Sequence, residues 1–110
     1  MQNLSVFDEI AALGENWNGY DAEPFELSFV EYCRTIFSQL ISEPEVFPTA
    51  RNSIQFEFEN DEVYLEFEVF SDCVDIFVMK NGKSEKDYQI FDNYISEMNN
   101  LILHYGFFSK

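Results

Sequence analysis

The stretch from Ser53 to Met79, SIQFEFENDEVYLEFEVFSDCVDIFVM, alternates apolar and polar side chains almost without interruption. Successive side chains of a β-strand point to opposite faces, so a period of two commits the segment to strands with one buried face. Asn60-Asp61 and Ser71-Asp72 read as the turns between them. With those turns the first hairpin pairs Phe58 with Val63, Phe56 with Leu65 and Ile54 with Phe67. The second pairs Val69 with Val74, Phe67 with Ile76 and Leu65 with Val78. These paired apolar residues then all lie on one side, and a one-residue slip would reverse that. The expected centre of the fold is a three-stranded antiparallel meander.

The flanks read as helices and loops. A first helix is expected from about Val6 to Leu13, with Ser5 as cap, Asp8 as its capping-box partner and Gly14 as its stop. The segment Glu15–Phe25 is turn-rich, and Trp17 and Tyr20 are expected to fold back onto the core. A second helix covers SFVEYCRTIFSQLI, with Ser28 and Glu31 as capping box and Phe29, Cys33, Ile36, Phe37 and Leu40 on one stripe. Glu43-Pro44 ends it. Pro44 and Pro48 then exclude a central strand from EPEVFPTARN, which reads as an extended connector. Asn81-Gly82 signals a tight turn, with room for a short fourth strand at Lys83–Glu85. A last helix is expected from Asp87 to Tyr105, with Tyr88, Phe91, Ile95, Met98, Ile102 and Tyr105 at helical spacing. The order α-α-β-β-β-α defines an α+β class with the helices on one sheet face.

A chain of 110 residues suffices for one domain, 1–110, with one core. Hydrophobic residues at 46% and aromatics at 18% are too many for a disordered acidic tail, despite the net charge of −15. That charge is uneven. Residues 1–79 hold seventeen acids against two bases, Arg34 and Arg51, while the remainder holds four of each. Such a field disfavours direct contact with nucleic acid or an anionic bilayer and favours a basic protein partner. The N-terminus lacks a secretory signal pattern and no apolar run reaches the length of a membrane span. Cys33 and Cys73, far apart and outside any CxxC, read as free buried thiols of a cytoplasmic protein.

The alternate face collects Gln55, Glu57, Glu59, Glu62, Glu66, Glu68 and Asp75, with Tyr64, Phe70, Phe77 and Met79 among them. Glu68 falls opposite Asp75, a like-charge pair that costs up to about 1 kcal/mol. A sheet face with only a structural role would sooner carry Lys or Thr there. Glu57, Glu59, Glu66, Glu68 and Asp75, with Tyr64 and Phe77 as apolar anchors, are the candidate partner-binding residues. The loop around Trp17 and Tyr20 is the alternative contact surface.

Catalytic signatures are lacking. His104, the one histidine, sits in the last turn of the final helix, where a cation suits the helix dipole. No second His supports a zinc site. Neither Cys has a nucleophile signature, and GxGxxG, P-loop and GxSxG are absent. An EF-hand with Gly19 at its sixth position would need carboxylates at Gly14 and Phe25. No cofactor or metal is expected, and no catalytic residue.

Two segments carry a resemblance: WNGYDAEP at Trp17–Pro24, and FPTARNSIQFEFE at Phe47–Glu59 followed by YLEFEV. The chain resembles a group of small bacterial and phage-borne proteins with a WNGYxAxP loop before a helix and a PTxRxSIQ lead-in to a strand pair. In that group Gly is typical where this chain has Asp21 and Asn52. The resemblance covers about residues 15 to 70 and implies a setting among mobile or defence-related genes, with no catalytic residue carried over.

The leading expectation is a small acidic, non-enzymatic binding protein. It would neutralise a basic, nucleic-acid-binding partner, as an antitoxin, an anti-CRISPR or another DNA-mimic inhibitor does. A homodimeric structural or assembly subunit is the first alternative. A divalent-metal-dependent enzyme is the second.

Overall fold

A computed structural model describes residues 4–108. The chain runs α1 (Ser5–Ala11), α2 (Leu27–Ser38), β1 (Glu45–Pro48), β2 (Ile54–Glu59), β3 (Val63–Val69), β4 (Val74–Lys80), β5 (Lys83–Ile90) and α3 (Tyr94–His104). The five strands form one antiparallel sheet in sequence order. The class is α+β, as the periodicity requires, but the sheet has five strands rather than three or four.

The strands β2, β3 and β4 place Ile54, Phe56, Phe58, Leu65, Phe67, Val69, Val74, Ile76 and Val78 on one buried face. All three helices pack there. Phe7 of α1 and Phe37 of α2 meet Phe56 edge-on at 6.3 and 6.0 Å between ring centroids. Met98 and Ile102 of α3 join the same apolar cluster. Hydroxyls of Tyr88 and Tyr105 donate to Glu97 and Glu85, fastening α3 along β5.

The second hairpin has the expected register, with Val69 opposite Val74 and Glu68 opposite Asp75. The first differs by two residues: Phe58 meets Leu65, Phe56 meets Phe67 and Ile54 meets Val69. The turn residues are Asp61 and Glu62 rather than Asn60 and Asp61. Asn60 is the cause. Its side-chain oxygen accepts the N–H groups of Glu62 and Val63 at 3.0 and 2.8 Å, and its own N–H donates to the Val63 carbonyl at 2.9 Å. The Glu62 carbonyl accepts from Asn81 N–H at 2.8 Å, which clasps this turn to the next hairpin. An even shift leaves every face assignment intact. Glu62, however, lies in the turn and not in the strand face.

Both edge strands went beyond the sequence reading. The expected connector at Glu45–Pro48 pairs with β2 and forms one edge, the position that tolerates proline. The expected start of the last helix, Asp87–Ile90, belongs instead to β5. Asn81 and Gly82, at φ 51° and 78°, close a two-residue turn that returns the chain against β4. Asn93, at φ 52°, then redirects the chain into α3. Phe91 is accordingly 67% exposed, not part of a helical stripe.

Ser5 and Ser28, the expected caps, lie within α1 and α2 and not at the N-cap positions. Side-chain cap bonds are absent at Leu4 and Glu26, the residues preceding α1 and α2. The two acids expected to cap converge instead on Arg34: Asp8 at 2.8 Å and Glu31 at 3.4 Å. Arg34 in turn lies over the Phe7 ring, 5.6 Å from its centroid. An ion pair with a cation on α2 ties α1 to its neighbour, which a local cap cannot do. Beyond α2, the Asn99 amide accepts from Ile41 N–H (2.9 Å) and donates to the Gln39 carbonyl (3.1 Å). These tertiary bonds accompany the end of α2 at Ser38, short of the Leu40-Ile41 expected.

The loop before α2 is bound internally. Asn16 Oδ1 accepts from Asp21 N–H at 2.7 Å, and Asn18 Oδ1 from the N–H groups of Tyr20 and Ala22 at 2.8 and 3.2 Å. Trp17 Nε1 donates to the Glu23 carbonyl at 2.9 Å while its ring packs toward Phe25. Trp17 folds onto the core as expected, but Tyr20 is 87% exposed at the loop tip. Asp21 holds φ 64°, the left-handed region that favours glycine. The Asp21 N–H bond would survive in a glycine, so Asp21→Gly is expected to stabilise by about 0.5 kcal/mol, part of the left-handed penalty for a residue with a Cβ. Thermal unfolding checks this; a lower melting temperature would show that the Asp21 carboxylate itself holds the loop.

Candidate partner-binding face

The helices occupy one side of the sheet, and no described helix packs on the other. On that outer face the register builds rows across the strands. The first row reads Glu45, Glu57, Glu66, Phe77, Asp87 from β1 to β5. The second reads Phe47, Gln55, Glu68, Asp75, Gln89. Tyr64, between Glu59 on β2 and Met79 on β4, follows beside the first row. All seven candidate residues therefore share this face. Glu57 lies directly opposite Glu66, a juxtaposition that the shorter register would have missed. Glu45 extends the face onto the expected connector, now β1, and Asp87 and Gln89 extend it onto the part of β5 expected to begin the last helix.

The seven residues are not equivalent. Glu59 is exposed, while Glu57, Glu66, Asp75, Tyr64 and Phe77 are half-buried among one another. The Tyr64 hydroxyl donates to Glu66 Oε1 at 2.7 Å, and its ring meets Phe77 at 6.4 Å. Burial and the Glu66 bond push the Tyr64 phenol far above its ordinary value, so it stays a donor. Glu57 is raised above the usual carboxylate range, first by burial and then by the charges of Glu66, Glu45 and Glu59, against the opposing Tyr64 hydrogen bond. Asp75 accepts from Gln89 Nε2 at 2.6 Å.

Glu68 departs from the expectation of an open contact residue: it is 7% exposed. Arg51 Nε donates to its Oε2 at 2.9 Å and Ser53 Oγ at 2.5 Å. Ser53 has one proton, so Thr49 donates to Ser53 across their 2.6 Å contact, and Arg51 N–H donates to Thr49 Oγ1 at 3.1 Å. Asn52 turns this loop at φ 59°. The Thr-x-Arg-x-Ser spacing therefore builds a clamp on a carboxylate of the neighbouring hairpin. Burial pushes the Glu68 carboxyl up, but the Arg51 and Ser53 bonds outweigh it and hold the group below its ordinary range.

Glu68→Ala is expected to cost about 2 kcal/mol, since hydrogen bonds to a charged group contribute roughly 1.5–3 kcal/mol. Arg51 is largely exposed, so its ion pairing adds little to that. Because the folded carboxyl is lowered, its contribution is full above the ordinary Glu value and is lost as pH falls below it. Urea unfolding across the acid range should show that slope reduced in Glu68→Ala. A loss below about 0.5 kcal/mol, the scale of an ordinary surface change, would make the clamp incidental.

Other chemistry is not assembled among the described residues. No three His, Cys, Asp or Glu side chains converge as metal ligands would. Cys33 is fully buried, with its thiol pushed up to about 12 by desolvation, the opposite of nucleophile activation. Cys73 is buried and free as well. The His104 ring sits on the surface against Tyr105. Among the described residues no helix is long and apolar enough to cross a membrane. No protein-family model, curated protein or solved structure matches the chain.

Proposed function

We propose that this is a non-enzymatic binding protein whose outer sheet face docks on a basic surface of a partner protein. The observation that carries the reading is the row Glu45, Glu57, Glu66 and Asp87, four carboxylates on the side of the sheet opposite the helices. None of them forms a salt bridge among the described residues, where the ion pairs are those of Arg34 and Arg51. The central pair, Glu57 opposite Glu66, opposes folding by up to about 1 kcal/mol. A cation from outside relieves that repulsion and a solvated sheet gains nothing from it. Carboxylates at about 4.8 Å from strand to strand compete for the Lys and Arg that otherwise hold phosphates, so the favoured partner is a nucleic-acid-binding protein.

The resemblance to small bacterial and phage proteins supports a role in neutralising such a partner, as an antitoxin or an inhibitor of a defence system. Asp21 and Asn52, where those proteins carry Gly, both hold left-handed backbone here. The test is to isolate the protein retained by the wild type but not by Glu57→Lys/Glu66→Lys, and to challenge the complex with nucleic acid. Displacement by nucleic acid is the expected result. Retention by both forms would overturn the reading.

A further inference from the structure

We propose that the partner element seated on the outer face is an α-helix lying across the strands, with basic residues along one face and an apolar residue where it meets Phe77. This rests on the reading of that face as the partner surface and specifies the shape that fits it.

The argument is one of spacing. The residues of the first row sit on successive strands, about 4.8 Å apart, with carboxylates on all but β4. A helix presents one residue per turn on a given line, about every 5.4 Å. The two differ by about 0.6 Å per step, so over the four steps from β1 to β5 the drift is about 2.4 Å, within the reach of flexible Lys and Arg stems. A helix laid along a strand meets same-face side chains about 6.8 Å apart and loses register about twice as fast. An extended segment along the row has its same-face residues at that same 6.8 Å, again out of step.

The row is also not uniformly charged. Its fourth member is Phe77, half-buried, with the Tyr64 ring beside it and Met79 two residues on along the same strand face. A polybasic tail places a cation at every position and desolvates one of them on Phe77 without a counter-charge. A helix with the one-face order basic, basic, basic, apolar, basic matches Glu45, Glu57, Glu66, Phe77 and Asp87 in turn.

The probe is a synthetic helical peptide carrying Lys, Lys, Lys, Leu and Lys at successive one-face positions, with Ala and Gln elsewhere. Its isomer spreads the same residues around the helix. Binding is read by fluorescence anisotropy with the intact protein at fixed salt, and peptide helicity by circular dichroism. The striped peptide is expected to bind about tenfold tighter than the isomer, the effect of 1.4 kcal/mol of aligned contact, and to gain helicity on binding. Glu57→Lys/Glu66→Lys should erase that preference. If the Lys pair lowers the melting temperature, Glu57→Gln/Glu66→Gln serves instead, and it should narrow the preference. Equal binding of both peptides, abolished by the variant, overturns the helix while leaving a basic partner in place. Binding of both peptides that is indifferent to the variant overturns the helix and the partner surface together.

Discussion

Phe67→Ala should remove about 3–5 kcal/mol of stability, the range for a large aromatic deleted from a packed core. Phe67 is fully buried in β3, the middle strand of the five. Phe56 and Ile76 flank it on the neighbouring strands, and the Phe58 ring stands edge-on at 6.4 Å. With neighbours fixed on both sides by backbone pairing, the cavity has little freedom to collapse. A domain of this size is stable by roughly 5–15 kcal/mol, so the variant should lose a large fraction of its margin. The urea midpoint should fall with little change in slope. Glu59→Ala, at the exposed end of β2, is the surface control and should stay within about 0.5 kcal/mol of the wild type. A midpoint shift for Phe67→Ala no larger than that of the control would mean that the sheet is not the centre of the core.

The second large effect is on binding. Reversing Glu57 and Glu66 to Lys should weaken partner binding by more than about a hundredfold, because juxtaposed like charges cost several kcal/mol at an interface. The fold should persist, since both side chains face away from the core; the Lys pair repels as the Glu pair does, and Tyr64 loses its Glu66 acceptor, so the melting temperature should fall only modestly. Glu68 and Asp75 are left unchanged for a structural reason: one is clamped by Arg51 and Ser53 and the other holds Gln89. Reversing Glu15, Glu23 and Glu26 in the loop region changes net charge more and should weaken binding far less. Added salt should weaken wild-type binding steeply. Equal loss from both variants would indicate attraction to bulk charge alone. Undiminished binding by the sheet variant would move the contact to the loop that presents Tyr20.

The central strands were legible because both of their neighbours are present. Every inward position of β3 is buried, so apolar residues recur without exception. An edge strand has a neighbour on one side only, and its inward positions are half-covered. In β5 the alternation fades to Lys86, Tyr88 and Ile90, all half-buried, and the spacing of Tyr88, Phe91 and Ile95 mimics a helix. In β1, two prolines in a short segment hid a strand that proline permits at an edge. The first hairpin's register turned on the side chain of Asn60, which moved the turn by one residue without altering the alternation.

The candidate face was legible as a composition but not as a set of roles. Glu57, Glu66 and Glu68 are alike in the sequence, each flanked by apolar residues. What separates Glu68 is Arg51, seventeen positions earlier, brought against it by the β1–β2 loop. The same distance effect diverted Asp8 from its helix end to Arg34, twenty-six positions later. A carboxylate's partner is set by tertiary placement, and local spacing registers only the partners within one turn.

The sheet has a helical layer on one side only, and this divides the chain's tolerance to change. Substitutions on the inner face are constrained by volume, because every neighbour is packed. Glu45 and Asp87, exposed on the edge strands, can vary in charge and size at little cost to stability, whereas Glu57 and Glu66 are half-buried and Glu66 accepts the Tyr64 hydroxyl. Glu68 is fixed by its clamp, and Asp75 holds Gln89. The exposed positions of this face can therefore be remodelled residue by residue while the scaffold beneath them keeps the same shape.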